Sequence, residues 1–524
     1  MVNFKELDNN THPQWFRDPG MRKGFIHLLV LYCAVYSLGY DGSLLAGLQA
    51  LPVWQSDFGA PKGTKLGLIA ATYYFPKLPG TIVLAWVADK YGRKMVGYIA
   101  GVFMLAGAIF GGCAQNVGQL IGSRVFLGFG TAGAMMCAAS LIPEIAHPRV
   151  RSKAGGFLTT FFYVGSIFAS WLTFAMVYQS KLLSWGWRIP NLVQGLGPIV
   201  FLAGLYFVPE SPRWLIAQGR EEEAHKILAE FHANGKMDDD LVMLEVREIK
   251  TGIEIEKRAS RSTGWMAFFA TAGNRRRFFM VIFLAFVTQF AGNGVVQYYI
   301  APILRQNGIT QPAQISGING GLSIFCWFVS MGGASLVERF GRRPLLLTSL
   351  VMMLVCFIII TGTSGAYAST KQSATGIVIV PMVYLFMASY SLAWTPLPAL
   401  MVGEMSPLSL RAKSVALYVF TQNATQTLNQ FANPVALAAI AWKYYILYVA
   451  LLAVYLVVVY FGVRETRNLT TEEAATVYDD AEVREAMLAE EIKIKQEAER
   501  AALGSRQDSK SSRSGSVEEI EYKV

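Results

Sequence analysis

Long apolar runs recur along the chain, separated by short polar segments. Each run is close to the twenty or so residues that an α-helix needs to cross the hydrocarbon core of a bilayer. The pattern predicts an all-α membrane protein with twelve transmembrane helices, which we number as spans one to twelve. The predicted spans are 25–48, 66–88, 95–114, 117–143, 154–178 and 188–208 in the first half, and 278–305, 315–337, 344–364, 376–402, 412–436 and 441–463 in the second.

The polar segments divide the chain into five parts. Residues 1–24 are polar, so we expect a cytoplasmic N-terminus without a cleavable signal peptide. Residues 25–208 and 278–463 are predicted to form one six-helix bundle each. The charged stretch 209–277 is predicted to be a cytoplasmic linker with short amphipathic helices. Residues 464–524 are predicted to be a cytoplasmic tail that is disordered in part.

Composition supports a membrane protein and argues against several other classes. The 524 residues are 53% hydrophobic and 16% charged, whereas soluble domains carry about 25% charge. The net charge of +10 is explained by Lys and Arg after the even-numbered spans, which places those connections and both termini in the cytoplasm. Nucleic-acid binding is therefore not expected. All five cysteines lie in apolar runs without metal-ligand spacing, so we expect them to pack between helices, and we expect no metal or cofactor.

Two charges inside apolar runs stand out. Asp41 lies in span one, where a carboxylate costs several kcal/mol unless it is paired, protonated or hydrated. Gly39 and Gly42 flank it and would let a helix or ligand approach closely. Arg124 is a similarly isolated charge in span four and needs a partner. An ionisable side chain in such a place is predicted to be functional.

An internal repeat relates the two halves. Asp89–Lys94 follows span two, and the similar segment Glu338–Arg343 follows span eight. Glu144 after span four and Glu404 after span ten are each followed by Arg and Lys at the same two offsets. These matches predict two homologous six-helix bundles in parallel orientation.

The repeated acids and bases are predicted to pair across helix ends, because Arg binds a carboxylate with defined bidentate geometry. We expect such clusters to bridge helices when the inner side is closed and to separate when it opens. The alternative is that these charges only set the orientation of the protein in the membrane. That role would require the basic residues but would not explain the acids. The predicted gating charges are Asp89, Arg93, Glu144, Arg151, Glu210, Arg213, Glu338, Arg342, Glu404, Arg411 and Glu465.

As a set, these motifs resemble the sugar porter family of the major facilitator superfamily over roughly residues 25 to 470. The resemblance is carried by Gly39–Gly42, Asp89–Lys94, Gly122–Arg124, Pro143–Glu144, Pro209–Leu215, Glu338–Arg343 and Glu404 with Arg411. It implies the major facilitator fold and sugar transport by alternating access. Three further segments are similar to the fungal lactose permease and cellodextrin transporter branch: Phe162–Ser166, Gly292–Gly294 and Trp394–Leu397.

The resemblance also implies roles for single residues. In proton-coupled sugar porters, an acid and a base at the positions of Asp41 and Arg124 form the protonation switch, whereas facilitators often carry Asn in place of the acid. A permanent structural salt bridge is the alternative.

A sugar site needs amides that donate and accept hydrogen bonds, together with an aromatic face for the ring. The family uses the positions of Gln289 and Gln426, and Thr159 stands where hexose porters usually have Gln. The alternative for each of these polar residues is interhelical hydrogen bonding alone. The predicted substrate contacts are Thr159, Gln289, Asn293, Tyr298, Tyr299, Trp394, Gln422, Asn423 and Gln426.

The expected function is proton-coupled import of a sugar, with a disaccharide such as lactose or cellobiose as the first expectation. The alternatives are a hexose:proton symporter, a non-transporting sugar sensor and a porter for quinate or another organic acid. An organic anion would need a further cation facing the cavity, and apart from Arg124 the apolar runs offer only Lys77, which has no assigned role.

No phosphate-binding loop is present, which argues against an ATP-driven pump, and no catalytic chemistry indicates an enzyme. The expected partners are a sugar, a proton and the lipid bilayer. We expect a monomer in the plasma membrane.

Overall fold

A computed structural model describes residues 10–12, 14–179, 184–262, 264–372, 376–467, 469 and 471–479. Within this part of the chain all regular structure is helical. Nine helices in it are long and apolar enough to cross a membrane. One of them, Ser409–Gly462, contains the eleventh and twelfth predicted spans, joined by a 3₁₀ turn. Predicted spans two and six are not among the nine, and each is divided into two shorter helices.

In the first half, spans one, three, four and five are single helices, and spans two and six are broken. Span two breaks at Phe75–Pro76 because a proline inside a helix removes a backbone donor and clashes with the preceding turn. The bounds are Pro19–Ala50, Gly63–Tyr74 with Lys77–Tyr91, Arg93–Gly112, Val117–Ile145, Arg151–Val177, and Trp185–Val193 with Leu196–Leu205.

In the second half, spans seven and ten are broken. Gly292 (φ 98°) interrupts span seven with a left-handed residue, and Pro396 begins the second part of span ten, as Pro396 and Pro398 in the sequence predict. The bounds are Ala272–Phe290 with Asn293–Tyr298 and Ile300–Gln306, Pro312–Phe340, Arg342–Thr370, Ile379–Ala393 with Leu397–Glu404, Leu408–Ile440, and Tyr444–Gly462.

Short helices lie outside the spans, and one boundary differs from expectation. Span one begins at Pro19 rather than 25, because the Asp18 carboxylate accepts the backbone N–H of Met21 (2.9 Å) and proline fits the first helical position. The short helices are Trp15–Arg17, Pro52–Asp57, Pro212–Ala217, Glu221–His232, Asp240–Ser262, Ala267–Ala270, Ala441–Lys443 and Thr471–Thr476. The predicted disordered end of the tail, beyond 479, lies outside the described residues.

Spans one and five pack with their backbones in contact. A Cβ added at Gly165 would overlap the carbonyl oxygen of Tyr36, and one at Gly39 would overlap that of Phe162. Only residues without a side chain permit this approach. Span one is the helix that carries Asp41, so the close contact fixes the depth and rotation of the carboxylate.

The two halves meet at the end of the bundle opposite the repeated charged segments. Gln49 at the end of span one donates to the carbonyl of Tyr298 (3.0 Å), and Arg305 in span seven donates to the carbonyl of Gln49 (3.0 Å). Spans five and eight are joined by the hydroxyls of Ser166 and Ser323 (2.9 Å). This end of the bundle is therefore closed.

The other end carries residues 89–94 and 338–343, and we call it the charged end. A Cβ added there at Gly155 or Gly156 in span five, or at Gly403 in span ten, would meet nothing within 4 Å, so these three positions face open space.

The linker helices are fastened to the first half at the charged end. Glu245 of the helix Asp240–Ser262 is buried, and it accepts from Arg151 (2.9 Å) and pairs with His232 (2.5 Å). Burial acts to raise the pKa of Glu245, but His232 and Arg151 outweigh it and the pKa is lowered. The ring of His147 stands edge to face with that of His232, with centroids 5.1 Å apart, and its pKa is lowered to about 3 by burial and by that neighbouring imidazole.

The segment that follows span twelve is fastened to the second half. Arg277 at the start of span seven is buried and forms a paired contact with Asp479 (2.9 Å from Nη1 to Oδ1 and 2.5 Å from Nη2 to Oδ2). Its Nε also donates to the carbonyl of Met405 (3.0 Å). This one guanidinium therefore joins span seven, span ten and the tail.

Candidate functional site

A small cavity lies between the halves at the depth of Asp41. Asp41 is 2% exposed and Arg124 is 4% exposed. The cavity has a volume of about 10 Å³, which is near the lower limit for one water molecule. Its lining residues are Asp41, Gly42, Leu45, Ala70, Tyr73, Tyr74, Arg124, Tyr298 and Gln430.

Asp41 and Arg124 face this cavity together, although their side chains come from different spans. Each interacts electrostatically with the other. Within the described residues they form no close ion pair, since no contact between them falls within 4.0 Å. The acid and the base therefore share one cavity without a direct ion pair between them.

A row of aromatic rings and amides connects the cavity to span eleven. The rings of Tyr74 and Tyr298 stand edge to face, with centroids 6.2 Å apart. The Tyr298 hydroxyl lies 3.5 Å from Nε2 of Gln426. Tyr299 donates to the backbone carbonyl of Gln430 (2.8 Å). Span seven and span eleven thus place three of the predicted substrate contacts beside the Asp41 cavity.

Other predicted contacts carry polar atoms that are buried without a protein partner. These are Oδ1 of Asn293 and Nε1 of Trp394. Gln289 and Gln422 have only long contacts of 3.5 Å, to Thr288 Oγ1 and to the hydroxyl of Tyr418. Because buried polar groups are nearly always hydrogen-bonded in proteins, such atoms are candidates for binding a polar ligand.

Two predicted contacts are not joined to the others. Thr159 is half-buried and donates to the carbonyl of Gly156 in its own helix (3.3 Å). The backbone carbonyl of Asn423 accepts from Thr427, also in its own helix (2.8 Å). In the described part of the chain, neither is hydrogen-bonded to another predicted substrate contact.

The sequence-based prediction missed several residues around the cavity. Tyr73 and Tyr74 come from span two just before its break, and the Tyr73 hydroxyl is buried without a hydrogen-bond partner. Gln430 lines the cavity, and Oε1 of Gln49 is buried without a partner. The available signal was the pair of tyrosines directly before Phe75–Pro76, where a broken helix must line a cavity or find new partners.

The charged end of the first half contains a compact cluster. The Glu210 carboxylate accepts the backbone N–H groups of Arg93 (3.0 Å) and Lys94 (3.2 Å) at the start of span three. The Ser211 hydroxyl donates to Glu144 in a short contact. The positive φ of Gly92 (101°) makes the turn that presents these N–H groups.

The second half repeats this cluster. Glu465 accepts the N–H groups of Arg342 (3.0 Å) and Arg343 (2.9 Å), and the Thr466 hydroxyl donates to Glu404 (2.7 Å). In addition, the Arg342 guanidinium binds Glu404 directly (2.8 Å). In the first half the Arg93 guanidinium lies nearer Asp89 (3.6 Å) than Glu144. The predicted acid–base clusters therefore exist in both halves, but Glu210 and Glu465 bind backbone N–H groups at a helix start.

The remaining predicted gating charges differ in their surroundings. Arg151 binds Glu245 of the linker, and Arg213 acts on Glu144 electrostatically. Nε of Arg411 is buried without a hydrogen-bond partner. The side chain of Glu338 lies outside the described residues. Within those residues, no group of three or more His, Cys, Asp or Glu side chains is placed to hold a metal ion.

Comparison with known proteins identifies the family. A family model described as "Sugar (and other) transporter" matches residues 28–478. The chain belongs to the sugar porter family of the major facilitator superfamily. This sugar porter is 26% identical over 486 residues to the high-affinity glucose transporter ght2 of Schizosaccharomyces pombe, covering 88% of each chain. It is 27% identical to high-affinity glucose transporter 1 of Candida albicans, covering 84% of this chain and 83% of that one.

Solved structures confirm the fold. The inward open conformation of the xylose transporter XylE from E. coli matches with a TM-score of 0.72 and 21% identity, covering 87% of this chain and all of that one. The twelve-span fold predicted from the sequence agrees with this match. The finer resemblance to lactose permeases and cellodextrin transporters receives no support, since the curated relatives named above transport glucose.

Proposed function

We infer that this sugar porter imports a six-carbon sugar together with a proton by alternating access. The observation that carries the proposal is the buried cavity shared by Asp41 and Arg124, placed directly beside the aromatic and amide side chains of spans seven and eleven. A solved structure of the same fold is described as a proton:xylose symporter. A non-transporting sensor would have no need for an acid and a base in the middle of the bundle.

The relatives favour a hexose over the disaccharide that the sequence first suggested. Two of the curated relatives are named as high-affinity glucose transporters, and another is named as a hexose transporter of Saccharomyces cerevisiae. The segments Gly292–Gly294 and Trp394–Leu397 therefore do not decide sugar length. We accordingly propose the hexose alternative in place of lactose or cellobiose.

The proposed cycle uses Asp41 as the proton site. When Asp41 is ionised, Arg124 across the cavity stabilises its charge, and when it is protonated that attraction is lost. The sugar would bind between the Tyr298–Gln426 pair and the unpartnered polar atoms of Asn293 and Trp394. Binding of the proton and the sugar together would then favour the change from the outward-facing to the inward-facing state, which neither ligand produces alone.

The charged end is proposed to be cytoplasmic, which places both termini inside the cell and fits the distribution of basic residues. The contacts of Gln49 and Arg305 would then close the outer side. The clusters around Glu210 and Glu465 are proposed to act as inner gating elements. We propose a monomer in the plasma membrane.

Uptake of labelled glucose, lactose and cellobiose by a yeast strain without its own sugar transporters tests this proposal. Each sugar is supplied with and without a protonophore, and the empty strain is the control. We expect glucose to be accumulated and the protonophore to abolish accumulation. Accumulation that is insensitive to the protonophore would contradict proton coupling, and uptake of lactose or cellobiose without glucose would restore the disaccharide alternative.

A further inference from the structure

Lys77 is a buried cation at the break of span two. It is the first residue of the second part of that span, directly after Pro76, and it is only 7% exposed. Its Nζ lies 4.2 Å from the ring centroid of Tyr73 and 4.7 Å from that of Tyr74. Among the described residues, no carboxylate forms an ion pair with it. The ammonium group is thus held between aromatic faces and lacks a bound anion.

Aromatic contacts alone do not offset the burial of such a charge. A cation–π contact contributes up to about 2 kcal/mol when it is desolvated. Removing an ammonium group from water costs several kcal/mol even after relaxation of the protein. A lysine in this place is therefore expected to bind an anion during part of the cycle.

The two tyrosines that hold Lys77 are also walls of the Asp41 cavity. The other side of Tyr74 meets Tyr298, whose hydroxyl lies beside Gln426. Lys77 also interacts electrostatically with Asp41. The cation therefore contacts two residues of the cavity wall without lining the cavity itself, and one aromatic ring separates it from the proposed sugar contacts.

The formal charges of this region favour an acidic sugar over a neutral one, without excluding the glucose expected above. With Asp41 ionised and Arg124 and Lys77 charged, the empty site has one net positive charge. Adding a proton and a neutral sugar would give two buried positive charges. Adding a proton and a sugar with one carboxylate gives one, the same as in the empty site. The acidic sugar with its proton therefore leaves the net charge of the loaded carrier equal to that of the empty one. This is favourable because net charge in a low-dielectric interior is costly.

We propose that Lys77 determines specificity by binding the carboxylate of an acidic sugar, a hexuronate or an aldonate monoanion, which is carried together with one proton. This rests on the proposed function and specifies its substrate class. Lysine suits the role because a flexible ammonium binds a carboxylate as a point charge without fixed geometry. Transport of one proton with one monoanion moves no net charge, so it is driven by a pH gradient and not by the membrane potential.

The test uses the purified full-length chain in liposomes of neutral lipid, with labelled glucose, galacturonate and gluconate. A pH gradient and a potassium diffusion potential are imposed separately. For the wild type we expect uptake of an acidic sugar that follows the pH gradient and is unchanged by the potential. Lys77→Met should reduce that uptake by more than about tenfold, because truncating one partner of a buried charge pair costs 2–5 kcal/mol. Lys65→Met, an exposed lysine in the first part of the same span, is the matched control and should leave uptake unchanged.

The outcomes separate the two proposals. Proton-driven uptake of glucose without either acidic sugar would overturn the role of Lys77 and leave the proposed function intact. Uptake of an acidic sugar that depends on the potential, or that survives in Lys77→Met, would also overturn it. If none of the three substrates is carried, the proposed function fails, and the specificity proposal fails with it. The wild-type measurements decide the substrate class even if Lys77→Met does not fold.

Discussion

Replacing Gly165 by alanine is expected to push spans one and five apart. The added Cβ would lie 2.7 Å from the backbone nitrogen of Tyr40 and would overlap the carbonyl oxygen of Tyr36. Ordinary contact begins near 3.4 Å, so the nitrogen alone requires a displacement of about 0.7 Å. The obstructing atoms belong to a helix backbone and cannot rotate away, unlike the end of a flexible side chain.

Overpacking of this kind costs about 1–3 kcal/mol. The intrinsic preference of alanine over glycine in a helix returns up to about 1 kcal/mol, so a net loss of stability remains. The same displacement moves Asp41, one residue beyond Tyr40 on span one. We therefore expect Gly165→Ala to lower both thermal stability and sugar accumulation.

The assay compares apparent melting temperature and uptake for Gly165→Ala and Gly156→Ala. Gly156 lies on the same helix, and a Cβ added there would meet nothing within 4 Å, so alanine should leave stability unchanged or slightly raised. Both proteins are purified as the full chain and measured at equal concentration. Equal melting temperatures for the two variants would refute the backbone contact between spans one and five.

Three further predictions concern the ends of the spans. Glu404→Ala should weaken uptake without preventing membrane insertion. A double-mutant cycle of Glu404→Ala and Arg342→Ala should give a coupling energy of about 1–3 kcal/mol in thermal stability. If the two substitutions destabilise the protein additively, the ion pair between these residues is contradicted. Asp479→Ala leaves the buried Arg277 without its carboxylate and should destabilise the protein by about 3–5 kcal/mol, whereas an unchanged melting temperature would mean that the tail is not docked. Because the pKa of His147 is lowered to about 3, docking of the linker should be fully stable above pH 6.5, the usual range of a freed histidine, and should weaken as the pH falls toward 3. Hydrogen exchange of the linker helices against pH measures this, and His147→Gln should flatten the dependence.

The sequence allowed the spans and the repeat to be predicted because both depend on local patterns. A run of apolar residues specifies a spanning helix wherever it occurs, and matched acids and bases at matched offsets indicate homologous halves. Glu210 and Glu465, both among the predicted gating charges, bind equivalent N–H groups at the starts of spans three and nine. Their hydroxyl neighbours Ser211 and Thr466 were missed, because a hydroxyl next to an acid is too common to be a signal.

The site could be predicted only in part, because it depends on how distant segments dock. Asp41 and Arg124 stood out as charges in apolar runs, which is a local property. That Tyr74 would meet Tyr298 depends on the packing of one half against the other. The position of Lys77 depends on how the second part of span two is rotated relative to the first at the break at Pro76. The helical periodicity of the sequence does not predict this rotation, because it is interrupted at the break.

The most direct test of proton coupling at Asp41 is Asp41→Asn in the full chain. Asparagine keeps the size and shape of the side chain but cannot bind or release a proton. Accumulation of the sugar against its gradient is measured in liposomes under an imposed pH gradient, together with exchange of labelled for unlabelled sugar at equal pH. We expect accumulation to be lost and exchange to persist. Full accumulation driven by the pH gradient in Asp41→Asn would contradict the central claim that this carboxylate carries the proton.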